Sequence, residues 1–324
     1  MKTRITGTGV AFPKRAVSNA ELSKRLGLSE GEIVRLTGIE TRYWVGEGET
    51  AATLAVEAAR SALDAAACSI DQIDLIVVST TSPNMFFPST ACLVQRDLSA
   101  RPIPAFDINA SCTGFLYALS VGDNAIQSGS AAHVLIISTE VKSPFLDLDD
   151  PSTSILFGDG AGAVVLSPGK GGIRTIRLFS DGSRHKLIHL PAGGSRQPAT
   201  QDSLRQGLHT MKMEGKALFR MAVKKMESAL TGLSEECALP LSDIDFFIFH
   251  QANLRILEAL LKRKKIPLNK TEITIPRFGN TSSSSLPIAL DSAVRQGRLK
   301  KGDTLVLCAF GGGMTWGIAL LDWE

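Results

Sequence analysis

The chain has 324 residues, enough for two packed units or one large duplicated one. Hydrophobic residues make up 44% and charged residues 21%, and a net charge of +3 is too small to imply a nucleic-acid partner. No stretch approaches the ~18 uninterrupted apolar residues of a membrane span.

Met1-Lys2-Thr3-Arg4-Ile5 lacks the apolar block and cleavage site of a signal peptide. The five cysteines, at 68, 92, 112, 237 and 308, are odd in number and never form C-x-x-C. That pattern argues against a disulfide framework and a structural zinc site, and points to a reducing cytoplasm.

In chain order, helical spacing of apolar residues covers 51–66, 88–98 and 113–127, alternating with strand-length apolar runs at 74–79, 103–108 and 134–138. The break Pro168-Gly169-Lys170-Gly171-Gly172 ends this set. Residues 173–190 have strand character, and 191–210, rich in Gly, Pro, Gln and Ser, reads as an inserted loop or cap. The second set has helices at 212–230, 253–263 and 283–295 and strands at 245–249, 272–275 and 304–309. Such alternation predicts largely parallel sheets with right-handed crossovers.

The two sets are copies. A shift of 171 residues carries Ile73 onto Ile244 and Asp74 onto Asp245, then Asn109 onto Asn280, Ser111 onto Ser282 and Ala118-Leu119 onto Ala289-Leu290. One register that explains two separated stretches implies duplication. The expected architecture is two similar α/β halves, residues 1–170 and 171–324, packed together.

Three polar residues fall at strand ends in this scheme. Cys112, in Asp107-Ile108-Asn109-Ala110-Ser111-Cys112-Thr113-Gly114, lies where a strand gives way to a helix, so backbone N–H groups and the helix dipole favour a thiolate. His250 follows the strand at 245–249, at the edge where α/β sheets hold ligands. Asn280 lies in the loop that duplicates the cysteine loop, with Ser283 in the place of Cys112. Each residue alone also has a plainer reading: a buried structural cysteine, a loop histidine, a helix cap. Pseudo-twofold packing of the halves would bring all three into one cleft.

Phe157-Gly158-Asp159-Gly160-Ala161-Gly162 and Phe310-Gly311-Gly312-Gly313 resemble phosphate loops, yet both lead into apolar strands, whereas a dinucleotide loop opens a helix. NAD and ATP are therefore not expected. Close backbone packing, with an oxyanion donor at Gly311–Gly313, fits better. Arg220, Lys224 and Lys225, with Arg255, Lys262, Arg263, Lys264 and Lys265, form a basic cluster. It reads either as a solvated helix face or as the dock of an acidic partner. His185 and His189 receive no role.

The segments 107–118, 157–167, 250–255, 278–290 and 308–317 resemble those of β-ketoacyl-acyl-carrier-protein synthase III, a thiolase-like condensing enzyme. The likeness covers nearly the whole chain and is most specific in His250-Gln251-Ala252-Asn253-Leu254-Arg255 and Ala309–Gly317.

The resemblance implies a duplicated thiolase-like fold, a five-layer αβαβα sandwich, and decarboxylative Claisen condensation. In it Cys112 would carry a short acyl primer, and His250 and Asn280 would bind the carbonyl of malonyl-acyl-carrier protein. Backbone N–H groups of Cys112 and Gly312 would form the oxyanion hole, and Phe310 would shape the decarboxylation site. Asn253 would contact pantetheine, and Arg220, Arg255, Lys262 and Arg263 would dock the carrier protein. A homodimer is implied, with Phe87 flooring the partner's acyl pocket. Coenzyme A or phosphopantetheine thioesters are substrates; no metal or other cofactor is implied.

Family members that prime from coenzyme A usually carry Trp and Arg where this chain has Glu32 and Leu36, and a further Arg where it has Pro151. The resemblance thus leaves acyl-carrier protein as an alternative donor. The rival reading is a related acyltransferase or condensing enzyme of specialised metabolism with a carrier-protein donor. Retention of both His250 and Asn280 favours condensation.

Overall fold

The computed structural model describes residues 2–324. Two sheets form its frame. The first runs in the order Lys2–Ala11, Gly160–Gly169, Val134–Glu140, Leu75–Ser79, Ala105–Ile108, and the second Phe246–Phe249, Thr304–Gly311, Thr315–Asp322, Gly172–Ser180.

Strand alternation sorts the side chains into layers. Leu75, Val77, Val134 and Ile136 of the first sheet and Phe246, Ile248, Leu305 and Leu307 of the second share one buried cluster. That cluster also contains Phe115, Leu116 and Leu119 of helix Gly114–Gln127 and Leu286, Ala289 and Leu290 of helix Ser285–Arg295, which lie between the sheets. The alternate residues Ile76, Val78, Leu135 and Ile137 face the outer helices Ala51–Ala65 and Thr90–Asp97. Phe247, Phe249, Val306 and Cys308 face Gly215–Glu236 and Leu254–Lys264. The result is the αβαβα sandwich expected, with sheets covered on both faces.

Two expectations need correction. The sheets are mixed: Gly160–Gly169 and Thr315–Asp322 are each antiparallel to both of their neighbours. Gly311 and Thr315 are joined through only three residues, too few for a parallel crossover. The strand expected at 272–275 is absent. Thr271 makes a single parallel bridge to Phe247, after which the chain enters the short helix Ile275–Phe278. Pro276, which has no N–H to give a ladder, suits the first turn of a helix.

The duplication persists at the level of backbone torsions. Ser111 and Ser282 take left-handed φ values of 51° and 53°, and each opens a one-turn 3₁₀ helix that feeds an inter-sheet helix. Both turns meet near the ends of the parallel strands, and there the cleft lies. The stretch 191–210 is mostly irregular but contains the short helix Gln201–Arg205.

Candidate active site

A cleft of about 820 Å³ is lined by Cys112, His250 and Asn280 together with Phe310, Gly311 and Gly312, and its outer part by Leu36, Pro151, Lys216, Arg220, Asn253 and Arg255. The three residues expected to converge therefore do so. Phe87 does not line this chain's cleft: it is 85% exposed on the surface, beside exposed Phe86. Lys262 and Arg263 are exposed on helix Leu254–Lys264, outside the cleft.

Cys112 sits in the turn Ser111–Thr113 and is only 7% exposed. Its Sγ lies 3.5 Å from Ser282 Oγ and 3.9 Å from Ser111 Oγ. Burial pushes the Cys112 thiol above its usual range and the charge of Glu140 adds to the effect, against Lys142 and Ser111. The expectation of a thiolate at this helix terminus is corrected accordingly: desolvation of the anion outweighs the donors around it. Gly311 packs against the nucleophile so closely that an added Cβ would lie 2.7 Å from the Cys112 nitrogen. The Gly312 N–H, expected in the oxyanion hole, here donates to Ser111 Oγ at 3.1 Å.

His250 ends strand Phe246–Phe249 and is buried. Its Nδ1 lies 2.6 Å from Ser285 Oγ, which also accepts the Gln251 N–H at 3.3 Å. The buried Ser285 hydroxyl has one proton, and Nδ1 is the acceptor within its reach, so the network assigns the imidazole proton to Nε2. Burial, opposed by the charge of Glu140, lowers the His250 pKa to about 3. The ring is neutral at physiological pH and offers an N–H donor.

Asn280 is held by the Gly-rich segment. Its N–H donates to Leu156 O at 2.8 Å and its carbonyl accepts from Gly158 N–H at 3.1 Å. At Gly158 an added Cβ would meet Phe278 O at 2.3 Å, so close packing requires glycine in this segment. Asn280 Oδ1 accepts the Ser282 N–H at 2.9 Å, which leaves the amide nitrogen to donate into the cleft.

Two residues expected to bind substrate or partner already have work in the fold. Asn253 caps helix Leu254–Lys264 and donates to Leu36 O at 3.1 Å. Arg255 donates to Arg35 O and Val34 O and pairs with Glu258, tying that helix to Glu30–Thr37. Glu32, at a departure from the family pattern, completes the capping box of the same short helix with Ser29.

The sequence reading missed the polar floor beneath the nucleophile. Glu140, fully buried, accepts from Ser282 Oγ (3.0 Å), Ser283 Oγ (2.8 Å), Ser82 Oγ (2.9 Å) and Thr81 Oγ1 (2.9 Å), and pairs with Lys142 at 2.9 Å. Burial alone would raise its carboxyl, but Lys142 and the hydroxyl donors outweigh it and hold the group below its usual range. The available signals were a glutamate closing the apolar strand Val134–Glu140 and the unbroken run Ser282-Ser283-Ser284-Ser285.

Two family models match the chain, 3-oxoacyl-[acyl-carrier-protein] synthase III over residues 106–182 and its C-terminal counterpart over 234–323. The β-ketoacyl-[acyl-carrier-protein] synthase III of Methylococcus capsulatus is 44% identical over 320 residues, 98% of each chain. The crystal structure of 3-oxoacyl-[acyl-carrier-protein] synthase III from Aquifex aeolicus superposes with a TM-score of 0.91 at 40% identity, covering 99% of this chain and 100% of that one. The priming β-ketosynthase of the R1128 polyketide biosynthetic pathway gives 0.92 at 34% identity, covering 100% and 97%.

Proposed function

This chain belongs to the 3-oxoacyl-[acyl-carrier-protein] synthase III family, and on that premise we propose that Cys112 takes up the primer while His250 and Asn280 drive decarboxylation. The enzyme condenses an acyl primer with malonyl-acyl-carrier protein, releasing carbon dioxide and giving 3-oxoacyl-acyl-carrier protein, the initiating step of fatty-acid synthesis.

In the first half-reaction a Cys112 Sγ–carbon bond forms and the donor carbon–sulfur bond breaks. The thiol proton ends on the departing thiol. In the second, the malonyl thioester carbonyl lies against His250 Nε2–H and the Asn280 amide. Loss of carbon dioxide leaves its electron pair in an enolate whose oxygen those two donors stabilise. Preorganised donors of this kind contribute roughly 3–4 kcal/mol each to a transition state. The enolate carbon attacks the acyl carbonyl, the Cys112 thioester bond breaks, and the thiolate takes a proton from solvent. Covalent capture divides one hard condensation into two easier steps. Metal and nucleotide cofactors have no step in this scheme.

The observation that carries this assignment is the placement of His250 in the cleft with Cys112 and Asn280, buried and with Nδ1 2.6 Å from Ser285 Oγ, surroundings that favour a neutral ring. An imidazolium would neutralise the enolate by protonating it; a neutral N–H donor supports the enolate and leaves its carbon nucleophilic.

For the carrier protein we assign a dock at the cleft mouth, where Lys216 and Arg220 are exposed, with Lys262 on the neighbouring helix. The donor assigned is acyl-carrier protein. Leu36 and Pro151 line the mouth and offer no aromatic or cationic face to an adenine. Exposed Met85, Phe86 and Phe87, with the free edge of strand Ala105–Ile108, support a homodimer. Five free thiols, the nucleophile among them, support a cytoplasmic setting.

Intact-mass analysis after incubation with acyl-coenzyme A or acyl-carrier protein, with Cys112→Ala as control, tests donor and nucleophile together. Carbon dioxide release from malonyl-carrier protein tests the condensing half. Acylation without carbon dioxide release would replace condensation by simple acyl transfer, and labelling from coenzyme A at low micromolar concentration would overturn the donor assignment.

A further inference from the structure

The floor of the site restricts what Ser282 can do for the nucleophile. Ser282 Oγ stands between Cys112 Sγ at 3.5 Å and Glu140 Oε1 at 3.0 Å. An ionised carboxylate only accepts, so the single hydroxyl proton of Ser282 goes to Glu140. Toward Cys112 the serine then has lone pairs alone and accepts the S–H.

The arrangement is locked from several sides. Ser283, the duplicate of Cys112, donates to the same carboxylate oxygen at 2.8 Å, while Thr81, Ser82 and Lys142 hold the other. The Ser282 backbone is kept at φ 53°, a conformation that persists for serine only when its surroundings over-determine it. Lys142 is itself buried and also donates to Thr81 Oγ1, so the pair has little freedom to turn away.

We propose that Glu140, acting through Ser282, is a positioning residue that holds Cys112 as an oriented thiol, its S–H on the serine and its sulfur presented to the acyl donor. The nucleophile rests protonated and loses its proton only as the carbon–sulfur bond forms, that proton ending on the departing thiol. The charged and titratable groups facing Cys112 are Glu140 and Lys142 from the strand end beneath it and His250 from across the cleft. Burial keeps His250 neutral, and the electrostatic effect of Glu140 on the thiol exceeds that of Lys142. The inference rests on Cys112 being the acylated nucleophile.

The test is the pH dependence of Cys112 alkylation by iodoacetamide, followed on the Cys112 peptide by mass spectrometry. It needs no acyl donor, so its failure and failure of the condensing assignment are separately visible. Glu140→Gln removes the negative charge that disfavours a thiolate nearby and replaces the carboxylate that holds the Ser282 proton by a weaker acceptor. The expected result is a midpoint lower by one unit or more, seen as about tenfold faster alkylation near pH 7. Glu140→Asp, which keeps the charge, is expected to hold the midpoint near that of the parent. Ser282→Ala leaves the Glu140–Lys142 pair in place and is decisive by sign, whether or not Glu140→Gln folds. A serine that accepts the S–H destabilises the thiolate, so its loss lowers the midpoint. A midpoint that is unchanged or higher in Ser282→Ala, or one that falls as far in Glu140→Asp as in Glu140→Gln, overturns the proposal.

Discussion

Ser285 Oγ lies 2.6 Å from His250 Nδ1 and sets which ring nitrogen carries the proton. The hydroxyl belongs to the first turn of inter-sheet helix Ser285–Arg295, while the histidine ends a strand of the second sheet. The catalytic tautomer is thus fixed by a helix in the middle layer. Ser285→Ala is expected to lower carbon dioxide release from malonyl-carrier protein about tenfold, the worth of one hydrogen bond of ~1.4 kcal/mol. Acyl transfer to Cys112, measured by intact mass, should continue at close to the parent rate.

Asn280 supplies the second donor, and its Oδ1 is committed to the Ser282 N–H. Asn280→Ala is expected to reduce the decarboxylation rate by roughly 10²–10³-fold, as for removal of one preorganised oxyanion donor. Single-turnover assays with pre-acylated enzyme isolate that step; a loss confined to acylation would contradict the assignment.

The depressed His250 pKa has a stability consequence of definite sign. The unfolded histidine titrates near 6.5 and the folded one at about 3. Between these values the unfolded state binds more protons, so this residue's contribution makes stability rise with pH from about 3 to 6.5 and level off above. Thermal melts of the parent should therefore decline on acidification through pH 6 more steeply than those of His250→Gln. Equal slopes would show that burial of the imidazole is not felt. Across pH 7–8 the same group titrates in neither state, so any activity limb there arises elsewhere.

Gly158 and Phe278 are packed too tightly for a side chain, since an added Cβ would lie 2.3 Å from a backbone oxygen. Gly158→Ala is expected to destabilise the fold by about 1–3 kcal/mol, as overpacking does, and to displace Asn280, whose carbonyl accepts the Gly158 N–H. Denaturant melts measure the first effect. The second appears as a larger fractional loss of decarboxylation than of Cys112 acylation.

Much of the site was legible because duplication supplies a ruler. The shift that carries Asn109 onto Asn280 and Ser111 onto Ser282 also carries one left-handed turn onto the other, so the meeting of Cys112, His250 and Asn280 followed from periodicity and symmetry. The same reading erred where local contacts override pattern. It expected a strand at 272–275, where Pro276 favours a helix, and it gave no sign that Asn253 and Arg255, which line the cleft, also tie helix Leu254–Lys264 to Glu30–Thr37.

By itself the sequence determined the layered α/β class, the duplication and the three strand-end residues, because these depend on spacing along one chain. Only the tertiary structure decided the state of those residues. Burial against Glu140 raises the Cys112 thiol, and Ser285 assigns the His250 proton. The Gly158 strut fixes the backbone of Asn280, whose Oδ1 accepts the Ser282 N–H. Each of these is a desolvation or hydrogen-bond effect between groups far apart in the chain, from Glu140 to Ser282 and from His250 to Ser285. Desolvation and donor direction act through space, and no local pattern of residues encodes them.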